Sequence, residues 1–519
     1  MTFSGLNLAM RGLFASQHAL NITSQNVMNT SNKGYVRRTA EFTSISTAGI
    51  KGVSVAPVRM RDRFLDSKVW NQNSVSNEWS TKNEYYEKIM NVLDEPTEYS
   101  INVVKNEFFK AFEDLAKDPS NLSYRTAINQ KAYQFTDVLN TMASQLENLQ
   151  YDLNEQVKVQ TEAINVLASE IADLNALIYK TEIAGGDASY SRDTFENKIK
   201  ELSQYANVEV IEENRGTLIN GAKDMRVTVM FGGVVLVDHD HARQLVCEKR
   251  IEKKNPEDID GLYRVVTKEG SALDLNTGSL KATIELRDGT GDSNGTWVKG
   301  VVYYERELNK FARTFAKAFN EGIIDYNGDG VITEDEKKNG YADAYVYGDP
   351  EATAPAGIRF FTPDGISTED FINGETDLDA INALYDQVTA KNIKMSVELE
   401  NNTDNIISSF IDPSYRTDTN SVLELISFRG DTNIFGTGDI DSFVESMVTS
   451  IGLDAKTSQA LNNSHQSLLE QAENNRSAYS DVSIDEEATF LVMYQQMYKA
   501  CAKSIRTFQE IYQSLLAAV

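Results

Sequence analysis

The chain has 519 residues, of which 41% are apolar, and its formal net charge at pH 7 is −27. A chain of this length exceeds a single hydrophobic core, so two to four domains are expected. The strong negative charge argues against nucleic acid or an anionic membrane surface as a partner for the chain as a whole.

The sequence shows neither a disulfide framework nor a conventional export or membrane signal. Only two cysteines are present, Cys247 and Cys501, too few for a framework of bridges. The segment Met1–Met10 lacks a basic stretch followed by an apolar one, as a secretory signal requires. The longest apolar run, residues 227–237, is too short to span a membrane.

The first thirty residues predict an amphipathic helix. Four apolar residues recur every seven positions and share one helical face: Leu6, Leu13, Leu20 and Val27. Gly34 predicts the end of this helix, because glycine readily adopts the left-handed conformation of a helix cap. Residues 40–61 are rich in Thr, Ser, Gly and Val, so we expect an extended connector there.

This N-terminal segment is basic although the chain is acidic. Against Glu41 alone, residues 1–61 contain Arg11, Lys33, Arg37, Arg38, Lys51, Arg59 and Arg61. Two interpretations remain open. The cations are a solvated face, or they guide packing of this end on the acidic body of a neighbouring subunit.

Helical patterns dominate from about residue 64 to residue 206, with breaks expected at Pro96 and Pro119. The longest predicted helix runs from Ala127 or later to Ile183 and ends before Gly185 and Gly186. From Val208 onward, short β-branched runs separated by Gly, Asn and Asp predict antiparallel strands.

A polar strand end is the favoured interpretation of the segment Asp238–His241, with a metal site as the less favoured one. Its two histidines stand two residues apart, which places them on one face if the segment is a strand.

A helix is predicted again at residues 301–320, and the sharpest local motif of the chain follows it. Residues 325–336 match the twelve-residue calcium loop of an EF-hand. The expected ligands are oxygens of Asp325, Asn327, Asp329, Val331, Thr333 and Glu336, the last one bidentate. The alternative is an acidic Asn/Gly turn without a metal. Because a single loop is present, we expect calcium to stiffen the segment and not to switch a domain.

The C-terminal segment, residues 483–519, predicts one uninterrupted helix of about 50 Å. Its apolar residues alternate at three- and four-residue steps, which is the pattern of a coiled-coil seam. The predicted seam contains Leu491, Tyr494, Tyr498, Ile505, Phe508, Tyr512 and Leu515. Ser483 and Glu486 have the spacing of a capping box at its start. A helix with such a seam needs a partner, and the N-terminal helix provides one.

Together these elements predict an α+β fold that is mainly α. The terminal helices pair as a coiled coil, followed inward by an elongated helical bundle and an inserted antiparallel β-rich domain. The expected boundaries are 1–62 with 483–519 for the coiled coil, 63–206 with 297–322 and 380–482 for the bundle, and 207–296 with 323–379 for the β-rich domain.

Both ends also resemble a known family. The motifs Gly5-Leu6-Asn7, Asn26-Val27-Met28-Asn29 and Gly34-Tyr35-Val36-Arg37 are similar to the N-terminal signature of flagellar axial proteins. Residues 482–487 and 494–500 resemble the C-terminal signature of one branch, the hook-associated FlgK family of the hook–filament junction. The resemblance covers roughly two thirds of the chain and is weak from about residue 208 to residue 363.

The resemblance implies a structural role without catalysis. Expected partners are further copies in a ring, the hook protein, a second hook-associated or filament protein, and an export chaperone; no nucleic acid or membrane is expected. It further implies secretion through the flagellar type III channel to the extracellular hook–filament junction.

Two alternatives are another axial protein, such as a hook or distal rod protein, and, more remotely, a calcium-dependent extracellular binding module. The sequence contains no HExxH, GxSxG or Walker A motif that would indicate an enzyme.

Overall fold

The computed structural model describes residues 2–517 except 33, 48–49, 94–99, 218–222, 293–296, 323–337, 350, 413, 415–417, 433 and 436–437. Long helices alternate with small antiparallel sheets, and a helix stands at each end of the chain. The predicted class, α+β and mainly α, is confirmed.

The N-terminal region consists of helix α1 (Thr2–Met28) and a hairpin of strands β1 (Arg38–Thr47) and β2 (Ile50–Arg59). The hairpin is the predicted extended connector. The prediction that Gly34 caps α1 is wrong, because the helix ends at Met28. Gly34 instead permits close packing, since a Cβ atom there would lie 2.2 Å from Nδ2 of Asn197.

Four helices follow: α2 (Arg63–Leu93), α3 (Ile101–Lys117), α4 (Leu122–Ile183) and α5 (Ser189–Leu202). Helix α4, with 62 residues, is the longest of the described chain and begins before the predicted Ala127. The Asn121 side chain caps it by accepting from the amide of Ser123. Gly185 follows its end with a φ of 75°. The predicted break at Pro119 is confirmed, whereas Pro96 lies outside the described residues.

A four-stranded antiparallel sheet comes next, in the order β3 (Val208–Thr217), β4 (Lys223–Phe231), β5 (Val234–Asp238) and β6 (His241–Ala242). Strands β7 (Leu245–Lys249) and β8 (Tyr263–Thr267) form a separate antiparallel ribbon. Helix α6 (Ser279–Asp288) follows. Strand β7 and helix α6 are additions to the predicted elements.

The C-terminal half begins with α7 (Val301–Glu321) and ends with two long helices, α12 (Ile440–Ser480) and α13 (Ile484–Ala517). Short elements lie between them: β9 (Tyr345–Val346), β10 (Phe361–Pro363), α8 (Thr368–Ile372), α9 (Leu378–Leu384), β11 (Ile393–Met395), α10 (Val397–Asn401), β12 (Ile407–Ser409) and α11 (Thr419–Ser427). Strand β9 pairs with β12 and β10 with β11.

Two clusters of buried apolar residues hold the body together. The larger one joins α3, the first half of α4, α7, the short elements of residues 341–409 and the first part of α12. The smaller one joins the second half of α4, α5 and α6 to the strands of residues 208–266. The short strands β9–β12 therefore pack on the helical core and not beside the β3–β6 sheet. The proposed three-domain division itself stays a prediction.

Candidate functional site at the paired chain ends

The two chain ends pair, as predicted, and the structure shows that the pair is antiparallel. A Cβ atom on Gly5 would lie 2.7 Å from Cζ of Phe508, and one on Gly12 would lie 2.9 Å from Sγ of Cys501. Further along, Nδ2 of Asn26 donates to Oε2 of Glu487 at 3.0 Å. Residues seven positions further along α1 thus contact residues seven positions earlier in α13, so one register holds over the whole contact.

The row of α1 closest to α13 consists of small residues. Gly5, Gly12 and Ala19 recur every seven residues, and the register places Ala19, which is fully buried, opposite the buried Tyr494. Because these side chains are small, the two backbones approach closely and the larger side chains of α13 fill the space.

The predicted leucine row lies beside this contact and not at its centre. Adjacent residues of a helix are rotated by about 100°, so the row beginning at Leu6 is displaced from the row beginning at Gly5. Of the eleven predicted seam residues, Tyr494 is buried and six are half-buried: Leu6, Leu13, Leu20, Leu491, Ile505 and Phe508. Four are exposed: Val27, Tyr498, Tyr512 and Leu515. The part of this row in assembly stays a prediction.

Asn26 is the polar centre where the ends meet the hairpin. Its Oδ1 accepts from the Tyr35 hydroxyl at 2.8 Å and from the Arg38 amide at 3.1 Å. Its Nδ2 donates to the Arg38 carbonyl at 2.7 Å as well as to Glu487. The buried amide is therefore fully hydrogen-bonded. Burial raises the pKa of Tyr35, which keeps its hydroxyl a donor at neutral pH.

Arg37 ties the start of α13 to this centre. Its Nη1 lies 2.6 Å from Oε2 of Glu486, and its Nε lies 2.8 Å from Oε1 of Glu487. Its backbone amide donates to the Ser480 carbonyl at the end of α12. Although burial opposes it, hydrogen bonds to both glutamates raise the pKa of Arg37. The acidic first turn of α13 thus binds a specific cation besides facing its own helix dipole.

A second set of ion pairs connects the hairpin to α5 of the body. Arg38 Nη2 lies 3.1 Å from Oδ2 of Asp193, and Arg59 Nη2 lies 2.6 Å from Oδ1 of the same residue. Arg59 also donates to both carboxylate oxygens of Glu196, at 2.8 and 2.9 Å. Such bidentate pairs fix geometry as well as charge.

Arg61 extends this set of ion pairs to the start of α2. Its Nε lies 2.6 Å from Oδ2 of Asp66, and its Nη1 lies 3.0 Å from Oε1 of Glu196. We call the set formed by Arg38, Arg59, Arg61, Asp66, Asp193 and Glu196 the arginine joint.

The joint revises both interpretations of the basic N-terminal segment. Arg37 and the three arginines of the joint, Arg38, Arg59 and Arg61, bind carboxylates of their own chain. They are therefore neither a solvated face nor a surface free for a neighbouring subunit.

Burial is the dominant cost in the joint. It raises the pKa of the Asp193 and Glu196 carboxyls, and the charges of Arg59 and its neighbours offset this only in part. Removal of one partner would leave a buried charge without compensation. The joint therefore connects the hairpin to the body through ion pairs that cannot lose one partner without cost.

The outer surface of the terminal pair is rich in exposed apolar side chains. On α13 these are Val492, Met493, Met497, Ile511, Leu515 and Leu516, and on α1 they are Leu8, Met10 and Phe14. We call this set the outer apolar face. Exposed apolar surface of this extent marks a protein contact.

The register also leaves the end of α13 without cover from α1. Because Gly5 lies opposite Phe508, Leu515 and Leu516 lie beyond the start of α1, and both are more than half exposed. The arrangement leaves an apolar surface at this end that another helix could cover.

The predicted metal sites remain without structural support. The calcium loop, residues 325–336, lies outside the described residues. In the part of the chain that the structure describes, no group of three His, Cys, Asp or Glu side chains is arranged to hold a metal. At the strand end, the His239 ring is buried against Tyr179 while His241 is exposed, so the two histidines do not converge.

None of the described helices combines the length and apolar character needed to cross a membrane.

Several decisive residues were visible in the sequence without their roles. Gly5, Gly12, Ala19 and Asn26 have the same seven-residue spacing as the leucine row. Because none of the four is a large apolar residue, hydrophobic periodicity does not reveal them. Asp193 stood in a motif of the resemblance, yet no periodicity indicated its arginine partners, which lie more than 130 residues away.

The chain is similar to flagellar hook-associated proteins. A family model described as the flagellar hook-associated protein FlgK helical domain matches residues 86–328. The flagellar hook-associated protein 1 of Bacillus subtilis is 24% identical over 99% of this chain and 98% of its own length. The Escherichia coli protein of that name is 24% identical over 98% of this chain and 99% of its own.

A solved structure, the flagellar hook junction protein FlgK from Burkholderia pseudomallei, superposes on 57% of this chain with a TM-score of 0.43 and 19% identity. The superposition covers 46% of that chain, less than half of its length.

Proposed function

The chain belongs to the FlgK family of flagellar hook-associated proteins and is a structural component of the bacterial flagellum. From this premise we propose that it joins the hook to the filament and is required for filament assembly. The observation that carries the proposal is the terminal helix pair, which unites both chain ends and exposes an apolar face.

The outer apolar face supports assembly with further helices. In this proposal, copies of the chain form a ring, with the hook protein on one side and a second hook-associated or filament protein on the other. The terminal pairs lie toward the central channel and the bodies face outward. Burial of exposed apolar side chains between neighbours would provide the driving force.

The arginine joint supports a fixed orientation of the terminal pair relative to the body. Buried bidentate ion pairs hold the hairpin on α5, so the terminal pair keeps a defined angle to the body. A junction between two different assemblies needs such a fixed angle on each subunit.

Export and location follow from the same premise. We propose that the chain leaves the cell through the flagellar type III channel with the help of an export chaperone, and that it acts outside the cell. The related proteins are named flagellar hook-associated protein 1, which supports a structural role without catalysis for this chain. The family match favours this function over a hook or distal rod protein and over a calcium-dependent binding module.

Calcium binding by residues 325–336 is a separate proposal that rests on the sequence motif. The weak affinities of extracellular calcium modules, about 0.1–1 mM, would be sufficient outside the cell. The bound ion would stiffen a local segment, with Asp325, Asp329 and Glu336 as its charged ligands.

The test is complementation of a deletion strain. The strain should export flagellin into the medium without building filaments, and the unchanged chain should restore them. A variant with Met497→Asp and Leu516→Asp should fold and be exported but fail to restore filaments, because each change places a charge on the outer apolar face.

The matched control carries Gln496→Asp and Gln513→Asp, which add the same charge at exposed polar positions of α13. Filaments in the first variant, or none in the control, would contradict the proposed role of this face. Filaments in the deletion strain itself would overturn the junction function.

A further inference from the structure

A groove lies between the β7–β8 ribbon and helix α6, far along the chain from the terminal pair. Its volume is about 960 Å³. It does not belong to the assembly surface described above, and its chemistry differs from that of the rest of this acidic chain.

The floor of the groove is apolar. It is formed by Tyr263, Val265, Leu273, Leu275 and Ile284. Leu273, Leu275 and Ile284 are half-buried, so part of their surface remains available to an occupant. An apolar floor of this kind favours side chains or other apolar groups over a small hydrated ion.

The walls are cationic. Seven basic residues line the groove, namely Lys249, Arg250, Lys253, Lys254, Arg264, Lys281 and Arg287. Three acidic residues line it as well, namely Glu248, Glu252 and Glu285. On a chain with a net charge of −27, this is a local excess of positive charge.

Some of these cations already have carboxylate partners. Arg250 and Arg287 both bind the buried Asp288. Lys281 lies 3.1 Å from Oε1 of Glu78. These cations shape the inner wall and are neutralised by their own chain.

The cations of residues 249–254 are different. Within the described part of the chain, no carboxylate oxygen lies within 4 Å of the ammonium nitrogen of Lys249 or Lys254, although the Lys254 backbone amide donates to Oδ2 of Asp258 at 3.0 Å. The Lys253 ammonium pairs with Asp260, which is almost fully exposed. Ile251 stands among them with its side chain entirely in solvent. Exposed cations next to an apolar floor and an exposed aliphatic residue form a surface that complements an acidic segment carrying apolar side chains.

From this arrangement we propose that the groove binds a polypeptide segment rich in Asp and Glu with apolar residues between them. The carboxylates would meet Lys249, Lys253 and Lys254, while the apolar side chains would lie on the floor and against Ile251. Charge complementarity with the lysines of this wall selects an acidic occupant.

The geometry also disfavours other anions. A nucleic acid would place phosphates beside Glu248, Glu252 and Glu285, and its bases would find one aromatic side chain in the groove, Tyr263. A free phosphate would leave the apolar floor uncovered. The proposal concerns recruitment of a partner on the body and does not depend on the hook–filament function.

The test measures fluorescence anisotropy of labelled peptides with the full chain. A peptide in which Glu and Leu alternate should bind, and its affinity should fall as ionic strength rises. A Glu-only peptide of equal length should bind more weakly, and a peptide of alternating Lys and Leu should not bind.

The variant Lys249→Glu with Lys253→Glu and Lys254→Glu should weaken binding of the Glu/Leu peptide by about tenfold or more. All three positions are exposed, so the fold should persist. The control reverses three exposed lysines elsewhere, Lys68, Lys110 and Lys180, and should leave the affinity unchanged.

A second variant, Ile251→Ser, keeps the charge and should weaken the Glu/Leu peptide but not the Glu-only peptide. The proposal is overturned if both triple variants lose binding equally, if the Glu-only peptide or an RNA oligonucleotide binds as tightly as the Glu/Leu peptide, or if the chain binds only itself.

Discussion

Helices α7 and α13 carry apolar residues at the same three- and four-residue steps, yet the fold treats them differently. In α7, Leu308, Phe311, Phe315 and Phe319 are at most 1% exposed. In α13, Tyr494 is the one seam residue of the described helix that is buried. Periodicity therefore reveals that a helix has an apolar face, but not whether the partner of that face belongs to the same chain.

The surroundings explain the difference. Phe315 packs against phenylalanine rings from three other elements, with ring centroids 5.1 to 6.3 Å apart. Helix α13 contacts α1, and the ring centroids of Tyr494 and Phe42 of the hairpin are 5.8 Å apart. The apolar face of α7 is thus filled by its own chain, whereas much of the apolar surface of α13 remains exposed.

The largest loss of stability expected from a substitution follows from this contrast. Phe315→Ala should lower the free energy of unfolding by about 4 kcal/mol, because it empties a filled site in the body core. Leu515→Ala should change it by less than about 0.5 kcal/mol, because that side chain is exposed. Urea unfolding of both variants measures the difference.

A comparable loss from Leu515→Ala would contradict the comparison, since the end of α13 would then be part of the monomer's core. Phe108→Ala provides a second body site with the same expected loss, as its ring contacts both Phe135 and Phe315.

Much of the architecture was predictable because it depends on local patterns. The breaks at Pro119 and Gly185, the strand runs from Val208 onward and the buried face of α7 all follow from residue type and spacing. The pairing of the chain ends was predictable for the same reason, since two long amphipathic helices needed partners.

What the sequence did not reveal depends on distant contacts. The apolar floor of the groove comes from β8, α6 and the segment between them, and neither β7 nor α6 was predicted. Arg125 is fully buried and donates to the carbonyls of Pro119 and Ile407. No spacing rule predicts a cation that joins one main-chain carbonyl six residues away to another 282 residues away.

The arginine joint lies between the body and the terminal pair. A substitution in it should therefore affect the terminal pair and leave the body core unchanged. Asp193→Asn should cost about 3 kcal/mol locally, because Arg38 and Arg59 would lose a buried counter-charge. Amide hydrogen exchange should become faster in the hairpin and in α1 while the α7 core keeps its protection. The exposed pair Lys391–Glu147 offers a control, since Lys391→Met should cost less than about 1 kcal/mol.

Equal acceleration of exchange in α7 would show that the joint belongs to the body core and would remove the distinction between the two regions. Unchanged exchange in the hairpin would show that the arginines do not hold it.

A pH effect should be confined to the body. Burial, reinforced by the charge of Glu147, raises the pKa of Glu305 on α7 from 4.5 to about 8. The folded chain therefore holds a proton there that the unfolded chain releases, so stability falls as pH rises from about 4.5 to about 8. At about 1.4 kcal/mol per pKa unit, the loss at pH 9 reaches up to about 5 kcal/mol.

Glu305→Gln should remove this dependence, which makes the variant more stable than the unchanged chain at pH 9 and about equal at pH 4.5. Urea unfolding at both pH values measures it, with Glu307→Gln on the same helix as the control. The same pH slope in the variant would exclude Glu305 as its source.

The smallest effect concerns the segment between α7 and β9, where the calcium motif stands. If residues 325–336 bind the ion, calcium should stabilise the body to which α7 belongs and leave the terminal pair unchanged. The gain follows RT ln(1 + [L]/Kd), which is about 1.4 kcal/mol at a calcium concentration ten times Kd. Asp325→Ala with Glu336→Gln should abolish the gain, and filament assembly should persist.

Magnesium should replace calcium poorly, because its short octahedral coordination does not suit a bidentate glutamate. Calorimetric titration and thermal melting at several calcium concentrations measure both quantities. Absence of heat and of a melting shift would leave the acidic turn as the explanation of the motif, because a bound ion must stabilise the folded state that holds it.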